Sequence, residues 1–139
     1  MTNLQEAPAI IQSIVLEGIF TTHLLSNSII TIDWHEDLIS IELAHLKELT
    51  AAVEELGKGR KMRIYFTPSD FMFMNDECRN YCASMEAERF TLGNAVFIDN
   101  LAKKIIFNFY IKFNKPSTPN RAFKIKSEAF KWLLSLSDE

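Results

Sequence analysis

No segment of this 139-residue chain is long and apolar enough to span a bilayer: the longest apolar run, Leu101 to Phe113, falls short of the roughly 20 residues required. A secretory leader is not legible either. Glu6 stands where a basic start would be, and Gln12, Ser13 and Glu17 interrupt the apolar segment that follows. Cysteine is scarce. Cys78 and Cys82 make no disulfide framework, and their four-residue spacing stacks them on a helix, so the expectation is reduced thiols in a cytoplasmic protein. Positive charge is also short, with 15 Lys and Arg against 18 Asp and Glu and a net charge of −3. Whole-domain attraction to nucleic acid, which needs clustered cations to displace counterions, is therefore not expected.

Catalytic and cofactor signatures are missing as well. The cysteine pair has no third or fourth metal ligand at a recognisable spacing, and His23, His35 and His45 fall in three different elements without a His-Glu-x-x-His pattern. No nucleophile elbow is present. Gly57-Lys58-Gly59-Arg60 lacks the spacing of a phosphate loop and follows a helix instead of preceding one, so it reads as a helix stop. The carboxylates between Asp33 and Asp37 do not form a calcium loop. No metal, cofactor or catalytic residue is expected.

What is present is an ordinary globular composition, 47% hydrophobic and 24% charged, with an excess of phenylalanine at 11. One domain of this length buries roughly 70% of its unfolded surface, enough for a core without staples. Along the chain, Ala9 to Leu16 suits a helix or a strand equally. Ile19 to Leu25 and Ser28 to Trp34 read as a hairpin turning at Ser26 and Asn27. A helix capped by Ser40 carries Leu46, Leu49, Val53 and Leu56 and stops at Gly57 and Gly59. Strand Met62 to Phe66 precedes a helix from Asp76 with Cys78, Tyr81, Cys82 and Met85 on one face. Strand Ala95 to Ile98 leads to a helix from Leu101 capped by Asp99 or Asn100. Arg121 to Ile125 is the last strand, and Ser127 caps a final helix with Ala129, Phe130, Leu133, Leu134 and Leu136 inward and Trp132 at its margin. Helices alternating with strands predict an α/β fold with a mostly parallel sheet after the opening hairpin.

Three strings carry a family likeness: Asn75-Asp76-Glu77-Cys78-Arg79-Asn80-Tyr81-Cys82-Ala83-Ser84, then Asn108-Phe109-Tyr110-Ile111-Lys112-Phe113-Asn114-Lys115-Pro116, and Arg121-Ala122-Phe123 ahead of Glu128-Ala129-Phe130-Lys131-Trp132-Leu133. With the element order, they resemble the STAS, or anti-sigma-factor-antagonist, superfamily over roughly Gly18 to Leu136. The resemblance implies a STAS-like mixed sheet over residues 18–139, behind an N-terminal extension of residues 1–17. It also implies a regulatory, non-enzymatic role. In antagonists with this fold a serine at the start of the helix after the third strand is phosphorylated, which switches partner binding by adding charge. The corresponding place here is Asn75, Asp76 and Glu77, none with a hydroxyl, so a permanently acidic helix start is expected.

The candidate contact surface is the helix from Leu101. Wound at 100° per residue, Ala102, Ile105, Ile106, Phe109 and Phe113 form one stripe, suited to covering the sheet. Phe107, Tyr110 and Ile111, flanked by Lys103 and Lys104, form a second stripe that needs another cover: residues 1–17, a homodimer or protein partner, or a lipid or other ligand. Asp76, Glu77, Arg79, Lys103, Phe107, Tyr110 and Ile111 are the expected partner-binding residues. Asn114, Lys115 and Arg121 form a possible small polar site. A second reading, a small-ligand or lipid-binding domain taking a small apolar molecule, draws on Phe71, Met72, Phe73 and Met74. A third, an enzyme using Asp76 or Glu77 as base, requires those carboxylates to line a cleft.

Overall fold

The structure, a computed structural model, describes residues 7–70 and 73–137. Among them six strands form one sheet in chain order: β1 (Ile10–Leu16), β2 (Phe20–Leu25), β3 (Ile29–Trp34), β4 (Met62–Thr67), β5 (Thr91–Phe97) and β6 (Asn120–Phe123). The pairs β1–β2 and β2–β3 are antiparallel, and β3 through β6 run parallel. The segment that suited helix and strand equally is β1. Gly18, at φ 75°, turns it back on β2, and its β-branched side chains fit a pleated surface better than a helix. Residues 10–16 are thus the sheet edge farthest from β6, where Ile14 and Leu16 pack toward the helix that follows β3 and not over the helix from Leu101; residues 1–6 of the expected extension lie outside the described residues.

Helices α1 (Leu43–Gly57), α2 (Asp76–Ala83), α3 (Met85–Glu88) and α4 (Leu101–Asn114) lie in the connections between parallel strands. Right-handed crossovers between strands taken in sequential order place them all on one face. α5 (Lys126–Ser135) follows the last strand and packs on the other. Strand alternation sorts the core accordingly. Ile30, Ile32, Trp34, Met62 and Ile64 meet Leu46, Leu49, Val53 and Leu56 of α1, while Ile29, Tyr65 and Ala95 meet Ala129 and Leu133 of α5. Gly93 lets α5 come close, since a Cβ there would collide with Leu136. Arg63 closes the end of α5 by donating from Nε to the Leu133 carbonyl at 2.7 Å and from Nη2 to the Leu136 carbonyl at 2.6 Å.

Several boundaries differ from the sequence reading. α1 starts after Glu42, whose backbone N–H donates to His45 Nδ1 at 3.1 Å, and Ser40 instead makes an isolated bridge with Phe73. Lys58, at φ 55°, is the left-handed residue that ends α1, with Gly57 still helical. Ser127 lies in the first turn of α5, whose N-cap is Ile125 without a side-chain bond. Leu134 is largely exposed because it sits a quarter-turn from the buried Leu133. The helix from Asp76 breaks at Ser84, whose hydroxyl accepts from the Ala87 amide and starts α3.

Candidate functional site

α4 is helical, as its periodicity demands, and Asn100 caps it by accepting from the Lys103 amide at 2.8 Å. Its orientation is the reverse of the sequence expectation. Lys103, Phe107 and Tyr110 turn toward the sheet and line the interior, and Ile111 is half-buried. Leu101, Ile105, Ile106, Phe109 and Phe113 point outward, between 45% and 71% exposed. The deciding contact is electrostatic. Lys103 Nζ reaches Asp70 Oδ1 and Asp99 Oδ1, each at 3.0 Å, at the ends of the loops following β4 and β5. Burial works against its charge, but the hydrogen bonds to Asp99 and Asp70 outweigh that and hold the lysine pKa above its usual value. The same bond from Lys103 lowers the pKa of Asp99.

Beneath α4 lies a cavity of about 390 Å³. Ile32, Ile64, Phe66 and Val96 form its floor, Leu46, Leu49 and Val53 of α1 one wall, and Phe107 and Tyr110 its roof. Exposed Phe73 and Ile106 stand at its mouth. Phe73 and Met74 line it as the second reading required; Phe71 and Met72 lie outside the described residues. At one end the lining turns polar. Glu88 of α3, Thr91 and Asn94 of β5 and Asn120 of β6 converge there, Asn94 and Asn120 being register partners on adjacent strands.

Glu88 is 5% exposed, and neither carboxylate oxygen makes a hydrogen bond of good geometry. Burial raises its pKa to about 7, although the nearby Thr118 amide and Asn120 side chain favour the charged form. The groups around it are neutral. Burial pushes the Cys82 thiol up to about 12, with further upward contributions from Cys78 and Glu88, and burial likewise raises the Tyr110 hydroxyl. The polar end was missed in the sequence for identifiable reasons. Glu88 sits in a charged run that reads as a solvated face, and Asn94 stood just outside the strand as drawn. The available signal was parity: Asn94 shares its face of β5 with Val96.

The other candidate residues divide. Asn75 caps α2, its Oδ1 accepting from the Cys78 amide at 2.9 Å. Asp76 and Glu77 lie exposed in the first turn. Arg79 Nη2 pairs with Asp76 Oδ1 at 2.6 Å, its Nη1 donates to the Met74 carbonyl, and its guanidinium stands 5.5 Å from the Phe109 ring centre. Of these four, only Arg79 lines the cavity, so the geometry does not give Asp76 or Glu77 the cleft that a catalytic base needs. Asn114, Lys115 and Arg121 do not assemble into one site. Asn114 Nδ2 donates to Asn80 on α2 at 2.7 Å, Lys115 is the exposed left-handed residue ending α4, and Arg121, the register partner of Ala95, faces the α5 side over Phe123. Cys78 is buried with its thiol near the Ile41 carbonyl.

Fold and cavity together define a single-sheet mixed α/β domain with helices on both faces and an apolar chamber under one of them. The chain belongs to the family described as "Domain of unknown function (DUF7793)", whose model matches residues 23–137. No curated protein and no solved structure matches it. Among the described residues no helix is long and apolar enough to cross a membrane.

Proposed function

We propose that the domain is a non-enzymatic regulatory module of STAS type that works by binding protein, with a second copy of the chain as partner. The outward stripe of α4 carries the proposal. Leu101, Ile105, Ile106, Phe109 and Phe113 put a continuous apolar strip into water, and strips of this kind mark contact surfaces. Two-fold pairing of identical strips is the simplest way to cover them. Aromatic side chains beside Lys104, Lys112 and Arg79 have the composition of an interface with a polar rim. The STAS assignment is supported by antiparallel strands leading into parallel strands joined by helices. At the start of α2, Asn75 and the Asp76–Arg79 pair offer partners a charge pattern with no hydroxyl to modify. The two thiols suit a reducing cytoplasm.

Sedimentation measures this directly. The wild-type chain is expected to be dimeric at micromolar concentration, and Phe109→Asp and Ile105→Asp monomeric with unaltered circular dichroism. A wild type that stays monomeric to about 100 μM, a concentration at which a micromolar dimer would be fully formed, refutes the proposal. So does a dimer indifferent to both substitutions. A second reading, a small-ligand-binding domain, is favoured by one observation, the apolar cavity with a polar end beneath α4.

A further inference from the structure

We propose that the chamber beneath α4 binds a small molecule with an apolar body and a single protonated amine, the amine seated on the Glu88 carboxylate. The inference rests on reading this chamber as a ligand site and adds the chemistry of the ligand. Its volume of about 390 Å³ lies within the range of small-molecule sites, and its polar groups converge at one end, which fixes an orientation. Glu88 is the specific pointer. An acid 5% exposed, with the Thr118 amide and Asn120 side chain nearby but neither in good hydrogen-bond geometry, is costly unless something delivers further donors to it.

Charge decides the sign of the ligand. Lys103 is already neutralised by Asp70 and Asp99, and Arg79 pairs through Nη2 with Asp76, although its Nε is buried without a partner. The groups facing Glu88 are Cys82 from α2, Tyr110 from α4, Asn94 from β5, and Thr118 and Asn120 from the approach to β6 and its first residue; none carries positive charge. An anion would meet a carboxylate without a counter-charge, and a neutral molecule would bring a hydrogen bond but no charge to it. An ammonium supplies three donors and the missing charge, and the Phe107 and Tyr110 rings in the roof are suited to a neighbouring cation. The apolar remainder fits the floor of Ile64, Phe66 and Val96, with entry between Phe73 and Ile106.

The test titrates the full chain calorimetrically with octylamine, octanol and octanoate at about pH 8, where both Glu88 and the amine are charged. Octylamine is expected to bind at least about tenfold more tightly than octanol, with octanoate weakest. Glu88→Gln should bring octylamine down to the affinity of octanol, while Val96→Phe, which fills the floor, should remove binding of both. Equal binding of octylamine and octanol, tighter binding of octanoate, or an octylamine affinity untouched by Glu88→Gln overturns the amine inference while leaving a ligand site in place. If none of the three binds the wild type, the chamber is not a ligand site and both readings fall.

Discussion

Replacing Glu88 with Gln should stabilise the empty protein, and by an amount that depends on pH. The carboxyl titrates at about 7 in the folded chain against a usual 4.5. Below the unfolded value the group is protonated in both states and contributes nothing. Between the two values the folded state still holds a proton that the unfolded state has released, so stability falls as pH rises. Above about 7 the whole penalty of the buried carboxylate is present. The gap of about 2.5 units corresponds to about 3 kcal/mol. Gln carries no charge at any pH and is close in shape to the protonated acid, so Glu88→Gln should match wild type near pH 4.5 and exceed it by about 3 kcal/mol at pH 8. For a domain of this length that is about 10 °C in Tm. Thermal melts of the two proteins, followed by circular dichroism across this pH range, read the difference between them and cancel every other titrating group. A Tm difference that is constant with pH, or a wild type that outlasts the variant at pH 8, would show that Glu88 is hydrated or paired in solution and would refute the burial argument.

Two further outcomes follow from the packing. Leu133→Ala removes a fully buried side chain between α5 and the sheet and should cost about 2–5 kcal/mol in urea unfolding; a loss under 1 kcal/mol would mean α5 is not held by this contact. Both thiols are raised by burial, Cys82 to about 12, so a thiolate-specific reagent at neutral pH should label the native chain far more slowly than the urea-unfolded chain. Equal rates would place Cys82 outside the closed interior.

Helical and strand periods were legible wherever one face alone is apolar. Leu46, Leu49, Val53 and Leu56 could face only one way, and Ile64 and Ala95 stand in runs short enough, and bounded closely enough by turn residues, to suit buried parallel strands. Legibility failed where two readings had equal local merit. Ile10 to Leu16 is β-branched yet also periodic, and it became a strand because β2 offered an antiparallel edge. Ser40 and Ser127 have capping side chains, but the helix starts fell elsewhere, at positions set by packing of the following turn.

α4 marks the division most clearly. Its sequence determined by itself that the segment is a rod greasy on opposite sides, since 100° per residue distributes Ile105, Phe109 and Phe113 away from Phe107 and Tyr110. Which side turns inward was decided by tertiary structure alone. Asp70 and Asp99 come from two different loops, and only their meeting makes burial of Lys103 affordable. Glu88 follows the same logic: nothing in its local sequence separates it from a solvated acid, and the stacking of α3, α4, β5 and β6 around it is what removes its water.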